Sequence, residues 1–326
     1  MKKTIAIVAG GYSSEIVVSM KSAQGIRSFI DPQKYASYIV LITKEKWVAL
    51  LPDNKETPID KNDFGFTYAG DKIRFDFAYI TIHGTPGEDG LLQGYFDMLG
   101  LRYSCCGVLA ASLTFNKYFC KNYLRGFGVQ VAPSVLLRRG DVWNTDDLVS
   151  QLGLPIFVKP NDGGSSFGVT KAGTAEQLQP AIDLAFAEGN EVLVESFMSG
   201  VEVTCGCYRV GEKKTVFPVT EVVTQNEFFD YDAKYNGQVS EITPARIFPT
   251  LTEEIRSLTA KIYDYIGAKG IIRVDYIISP QEEVRLLEVN TTPGMTETSF
   301  IPQQVKAAGL NIREVMTEII EYELKF

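Results

Sequence analysis

Apolar and polar positions alternate most regularly between Ile271 and Ser299, in IIRVDYIISPQEEVRLLEVNTTPGMTETS. In its first half, Ile272, Val274, Tyr276 and Ile278 fall on one face of an extended chain, with Arg273 and Asp275 on the other. In its second half, Glu288 and Asn290 share a face opposite Leu287 and Val289. Ser279-Pro280-Gln281 between them has turn composition, so the pattern predicts an antiparallel hairpin followed by a Gly/Thr/Ser-rich loop. A register open by one or two residues sets Asp275 opposite Glu288 and Arg273 opposite Asn290. Carboxylates facing each other across strands repel unless a positive charge lies between them.

The rest of the chain divides by its period. Over residues 1–112, strand patterns at 5–9, 38–42 and 77–82 alternate with helical stretches, one of them after Ser14 carrying Val17, Val18, Met20 and Lys21 towards Ile26. This alternation predicts an open parallel α/β sheet, in which ligands sit beyond the carboxyl ends of the strands. Two Gly-rich segments fall at that place, Gly10-Gly11-Tyr12-Ser13-Ser14-Glu15 after the first strand and His83-Gly84-Thr85-Pro86-Gly87-Glu88-Asp89-Gly90 after the third. Residues 113–200 read as a helix over 113–124 with Lys117 and Lys121, a strand at 155–159, a Gly/Ser loop over 160–168, and strands from Val169 and over 191–195. Residues 201–326 begin strand-rich and pass through EFFDYDAKYNGQ at 227–238, a polar aromatic stretch suited to a mobile lid. Thr250-Leu251-Thr252-Glu253 then reads as a capping box before a helix with Ile255, Leu258, Ile262 and Ile266 on one face. A last helix is expected after Pro302.

Composition narrows the function classes. A chain of 326 residues, 45% hydrophobic and 22% charged, suits a globular protein of two or three domains, and its net charge of −8 argues against general affinity for nucleic acid or anionic membranes. No apolar run is long enough to cross a bilayer, and the short run after Met1-Lys2-Lys3 reads as a buried first strand rather than a signal peptide. The five cysteines lack metal or disulfide spacing, which suits buried thiols in a reducing cytosol.

Several side chains carry candidate chemistry. His83, the only histidine, stands at a strand's carboxyl end, where it could act as a general base or position a substrate. The loop over 160–168 can turn several backbone N–H groups towards an anion, with Lys159 as a point charge beside it. It lacks GxxxxGK[ST] and opens into a strand, so it is not a Walker A loop. Lys117 and Lys121, taken singly, read as solvated surface charges. Glu195 and Glu202 flank an apolar crossing segment and could hold an adenosine or be ordinary linker acids. Asp275, Glu288 and Asn290 form an all-oxygen set that suits Mg²⁺ bound jointly with phosphates, although solvated acids on a surface hairpin would give the same pattern.

Taken together, HGTPGEDG at 83–90, VKPNDGGSSFGV at 158–169, YDAKY at 231–235, RVD at 273–275 and EVNTTPGMT at 288–296 resemble the ATP-grasp superfamily and, within it, the D-alanine–D-alanine ligase family. The resemblance covers nearly the whole chain, with its motifs in order. It implies three domains, 1–112, 113–200 and 201–326, with ATP held between the sheets of the second and third. By the same resemblance, Lys117 and Lys159 bind phosphates beneath a flexible loop containing Gly163, Gly164, Ser165 and Ser166. Glu195, Met198 (through its backbone) and Glu202 contact the adenosine. Asp275, Glu288 and Asn290 hold two Mg²⁺ ions, for which Mn²⁺ could substitute. Glu15 grips the ammonium of the first D-alanine, with Val18 and His83 nearby. Arg273, Gly294 and Ser299 hold the second D-alanine and the developing oxyanion, next to Phe300. Lys234 and Tyr235 lie on the lid, the tyrosine linked through Ser165 to Glu15.

The resemblance further implies ADP-forming ligation through a D-alanyl phosphate in peptidoglycan precursor synthesis, by a cytoplasmic homodimer. Small molecules, and neither nucleic acid nor membrane, would be its partners. The sequence departs from the family pattern at Ile16, Val17, Cys105, Cys106, Asn116, Ser196 and Phe300. Phe300 stands near the acceptor where leucine is frequent and leaves acceptor choice open, while Tyr235 favours D-alanine over D-lactate. A ligase of the same superfamily with other substrates, or a nucleotide-binding module without catalysis, are the competing readings.

Overall fold

The computed structural model describes residues 2–13, 15–52, 55–163, 168–224 and 239–325. Its first sheet is built around the strand Lys3–Gly10, whose last six residues are all buried. This strand pairs in parallel with Tyr35–Ile42 on one side and Phe77–Ile80 on the other, and Arg102–Tyr103 continues the parallel set. Trp47–Leu50 and Glu56–Pro58 extend the opposite edge antiparallel. The expected parallel sheet is therefore its centre. The edge strands are three and four residues long, too short to register as a period.

The second sheet is antiparallel, in the order Thr170–Ala172, Ile156–Pro160, Glu191–Ser196, Ser134–Arg138. Its buried face, with Ile156, Val158, Val192 and Val194, packs on Leu178, Ile182 and Ala185 of the helix Leu178–Glu188. In the third sheet Val201–Val210 is central, between Ile271–Ile278 and Thr220–Thr224. The hairpin formed by Ile271–Ile278 and Val284–Asn290 has the expected register: Asp275 faces Glu288 and Arg273 faces Asn290. The register shifts after Asp275, so Tyr276 pairs with Leu286. A bulge at this point re-aims the polar face beside it.

Two helical expectations are corrected. The single helix over 113–124 is two, Val108–Phe115 and Lys117–Arg125, and the first spans the expected boundary at 112. Asn116 separates them in extended conformation, its side chain accepting the Phe119 N–H at 3.0 Å. Asparagine is among the strongly preferred capping residues, and capping rather than apolar period decides the break. The capping box at 250–253 does not form, because the helix Pro249–Tyr265 starts earlier, with Pro249 in its first turn. Pro302 lies inside a first turn too, in Phe300–Ala307, where its missing N–H costs no helical bond. A further helix, Ile312–Glu323, follows behind an Asn311 cap.

The helix Ile16–Phe29 seats the loop that follows the hairpin. A Cβ on Gly25 would come within 2.2 Å of the Met295 carbonyl oxygen, and the Met295 N–H reaches Ser22 Oγ at 3.4 Å. Gly25→Ala is expected to push this loop outward, lowering stability by about 1–3 kcal/mol. Urea unfolding checks this. An unchanged midpoint would mean that the loop yields freely.

Candidate active site

A cleft of about 870 Å³ opens between the second and third sheets and reaches the first. The second sheet contributes Phe157, Lys159 and Glu195, the third Glu202, Arg273 and Asp275, and the first sheet's turns Tyr12, Glu15 and Gly84. Each position follows from local structure. Lys159 and Glu195 lie on neighbouring antiparallel strands, offset by two residues on one face, within reach of long side chains.

At one end, Lys117 Nζ donates to the Gly163 carbonyl oxygen. Burial pushes its ammonium pKa down, against the opposing pull of Glu288. Asn161 fixes this lysine's helix: its carbonyl accepts the Lys117 N–H at 3.2 Å and its Oδ1 the Tyr118 N–H at 2.9 Å, while its Nδ2 donates to Glu191 at 2.7 Å. Beneath the cleft, Glu195 meets two lysines, Lys159 Nζ at 2.5 Å from Oε1 and Lys121 Nζ against Oε2. Burial alone would raise the Glu195 carboxyl, but Lys121 and then Lys159 outweigh it and hold it at about 2. Burial lowers the Lys121 ammonium pKa, against the opposing pull of Glu195. Lys121 is thus not the solvated surface charge expected; its side chain is 2% exposed. Glu195, expected on the adenosine, has both oxygens engaged by lysines.

At the hairpin, Arg273 donates from Nε and Nη2 to the two oxygens of Asp275, each at 2.9 Å. Thr204 Oγ1 adds a bond to Oδ1 at 2.6 Å and Asn290 Nδ2 one to Oδ2 at 3.0 Å. Burial works against the Arg273 charge, but Asp275 outweighs it and raises the guanidinium further. The guanidinium lies 5.3 Å from the centre of the Phe300 ring.

Near the first sheet, Glu15 is buried at the start of Ile16–Phe29, with Val18 one turn on, and its Oε2 faces Gly84, next to His83. His83 Nε2 is buried without a hydrogen-bond partner among the described residues. Gly294 sits against Ser299 Oγ, which accepts the Thr296 N–H at 3.0 Å. Met198 and Glu202 line the cleft. The expectations for Gly164, Ser165, Ser166, Lys234, Tyr235 and the lid at 227–238 lie outside the described residues.

The sequence model of the family described as D-ala D-ala ligase N-terminus matches residues 4–106, and that of D-ala D-ala ligase C-terminus matches 123–321. The chain is 64% identical over 321 residues to a D-alanine–D-alanine ligase of Bacteroides fragilis, covering 98% of this chain and 99% of the relative. It is 65% identical over 325 residues to another from Parabacteroides distasonis, covering 100% and 98%. The chain belongs to the D-alanine–D-alanine ligase family.

Solved structures agree with this membership. D-alanyl-alanine synthetase A from Vibrio cholerae superposes with a TM-score of 0.90 at 27% identity, covering 100% of this chain and 99% of that one. The VanG D-Ala:D-Ser ligase from Enterococcus faecalis gives 0.87 at 30% identity, covering 99% and 100%. A Bacillus anthracis D-alanine–D-alanine ligase complexed with ATP gives 0.78 at 27% identity, covering 99% and 98%. The architecture is the α/β ATP-grasp fold.

Sequence reasoning missed four positions in this family member's site. Phe157 and Phe197 stack with ring centres 6.1 Å apart on the cleft wall. Asn161 has no signal beyond its place in the loop motif. Glu88 lies within HGTPGEDG, which assigns it no role; its carboxylate accepts the Gly84 N–H at 2.7 Å and the Thr292 hydroxyl at 2.6 Å, tying the turn at 83–90 to the loop after the hairpin. Burial raises its pKa, with His83 opposing. All five cysteines are free and buried, and no described helix is long and apolar enough to cross a membrane.

Proposed function

We propose that the protein joins two D-alanines into D-alanyl-D-alanine, with ATP converted to ADP and phosphate, for peptidoglycan precursor synthesis. The observation that carries this reading is one cleft holding Lys117 and Lys159 from one side, Arg273, Asp275 and Glu288 from the other, and Glu15 at its end. Two anions, a carboxylate and a triphosphate, must meet in the first step, so cations from opposite walls are needed to bring them together.

In that step, a carboxylate oxygen of the first D-alanine attacks the γ-phosphorus and ADP leaves. Lys117 and Lys159 hold the phosphates, and Glu15, with Val18 and His83 beside it, holds the ammonium. The amine of the second D-alanine, having lost its proton, then attacks the acyl carbon and phosphate departs. Arg273 and the Gly294 N–H stabilise the oxyanion, and Ser299 and Phe300 bound the acceptor. The phosphates are bound by Gly163, Gly164, Ser165 and Ser166, the adenosine by Met198 and Glu202, and the reactants also by Lys234 and Tyr235. Exclusion of water protects the acyl phosphate.

The donor set fits Mg²⁺. Among the described residues no three His, Cys, Asp or Glu side chains cluster as a metal site, but Asp275 and Glu288 are cross-strand neighbours and Asn290 supplies a third oxygen. Asp275 already accepts four donors, so metal binding there requires one of them to yield, and the uncharged ones are Thr204 Oγ1 and Asn290 Nδ2. Two Mg²⁺ ions held by Asp275, Glu288 and Asn290 would supply charge neutralisation at the phosphates. A cytoplasmic homodimer completes the proposal.

The test is ADP release with ATP and Mg²⁺, comparing D-alanine, L-alanine, D-serine and no amino acid, with mass detection of product. Stoichiometric ADP and D-alanyl-D-alanine, with L-alanine inactive, is the expected result. ADP release without any dipeptide would move the substrate elsewhere within the superfamily. A mixed product with D-serine would assign the broader acceptor pocket to Phe300.

A further inference from the structure

Among the described residues, Lys121, Glu195 and Lys159 form a buried trio of charges beneath the cleft, and two of the three line it. Lys159 and Glu195 line the cleft, whereas Lys121 stands behind them on the inner face of Lys117–Arg125, beside Cys120 and Leu124. The side chains of Lys121, Glu195 and Lys159 are 2%, 2% and 8% exposed. Each oxygen of Glu195 is taken by a different ammonium. The trio carries one net positive charge, more than Glu195 alone requires.

We infer that Lys121 is the standing counter-ion of Glu195, which allows Lys159 to leave that carboxylate for the phosphates of the nucleotide. The inference rests on the ATP-binding reading above and adds to it a positioning residue outside the cleft. Its physical basis is the cost of stranding a buried charge. A carboxylate 2% exposed that loses its only cation is strongly destabilised, because neither water nor another donor replaces the partner. If Lys159 were that only cation, its transfer to a phosphate would leave Glu195 unpaired, and this cost would be subtracted from nucleotide affinity. With Lys121 fixed on Oε2, the transfer leaves a neutral buried pair. Lys159 is then held at a definite place, within hydrogen-bond distance of Glu195, and can be released.

Geometry separates this role from simple support. Lys159 comes from a strand and Lys121 from a helix, so they approach Glu195 from different elements. Lys121 does not touch the cleft, so it is a positioning residue and not a catalytic one.

The test uses the full chain and compares the wild type, Lys121→Met, and the double variant Lys121→Met/Glu195→Gln. Affinity for a non-hydrolysable ATP analogue is titrated directly, and KM for ATP and for D-alanine is measured beside it. Wild-type binding of the analogue is established first, and its absence would overturn the ATP reading itself. Lys121→Met is expected to weaken analogue binding about tenfold or more, because Lys159 is then held by a carboxylate with no other partner. KM for D-alanine should stay within about twofold, which a general loss of structure would not allow. The double variant removes the carboxylate that retains Lys159, so it is expected to recover at least about half of the lost affinity on a logarithmic scale. A cooperatively folded Lys121→Met with wild-type nucleotide affinity would overturn the inference. So would a double variant as weak as the single one. If Lys121→Met alone fails to fold, the double variant decides by itself: analogue affinity more than tenfold below wild type assigns the trio a structural role only.

Discussion

Replacing Arg273 by lysine is expected to lower kcat by about 10²–10³ while leaving nucleotide affinity within a few-fold of wild type. The substitution retains the charge, so a role as a mere positive point would survive it. What it removes is the fork. Nε and Nη2 bond the two oxygens of Asp275 at 2.9 Å each, and the planar group lies 5.3 Å from the Phe300 ring centre. An ammonium cannot bond both oxygens in parallel and still present a donor to a forming oxyanion, nor does it stack on an aromatic face with the same geometry. Asp275 would keep the Thr204 and Asn290 bonds, so the fold around it should persist. Steady-state turnover with product detection, beside a direct titration of the nucleotide analogue, separates the two effects. Near-normal turnover would remove Arg273 from the chemistry. Parallel loss of turnover and nucleotide binding would instead assign it to the architecture of the cleft.

The hairpin was legible because one period settles both of its faces. Arg273, Asp275, Glu288 and Asn290 fall on the polar face of two well-patterned strands, and the cross-strand register follows from matching those faces. Lys121 shows the opposite case. A lysine in a polar helical stretch reads as exposed, and nothing local reveals that Glu195, 74 residues away, waits in the core to pair with it. Tertiary pairing of that kind overrides the local expectation. The helix boundaries failed for a related reason. Asn116 and Pro249 set them through backbone hydrogen bonds and fixed φ, signals that an apolar period does not carry. The family resemblance supplied the roles for Glu15, Gly294 and Phe300, which the residue pattern alone left as a helix start and a loop.

The second large effect is expected at Glu288. Glu288→Gln preserves size and removes one negative charge, and turnover should fall by more than about 10² at millimolar Mg²⁺. The reason lies in how charge is distributed across the hairpin. Asp275 is matched in this structure by Arg273, with four hydrogen bonds on its two oxygens. A hard dication bound here therefore depends on the second carboxylate, and Glu288 stands opposite Asp275 on the cleft wall. An amide oxygen can still coordinate but no longer offsets the ion's charge, so the Mg²⁺ concentration needed for half-maximal activity should rise. Burial also lowers the Lys117 ammonium pKa while Glu288 supports it, so the same substitution weakens a phosphate-binding cation from behind. The two contributions can be told apart. Raising Mg²⁺ restores only the metal-dependent part, whereas a lasting loss of nucleotide affinity at saturating Mg²⁺ reports on Lys117. A Mg²⁺ titration of the variant identical to that of the wild type would exclude Glu288 as a ligand and leave only its support of Lys117.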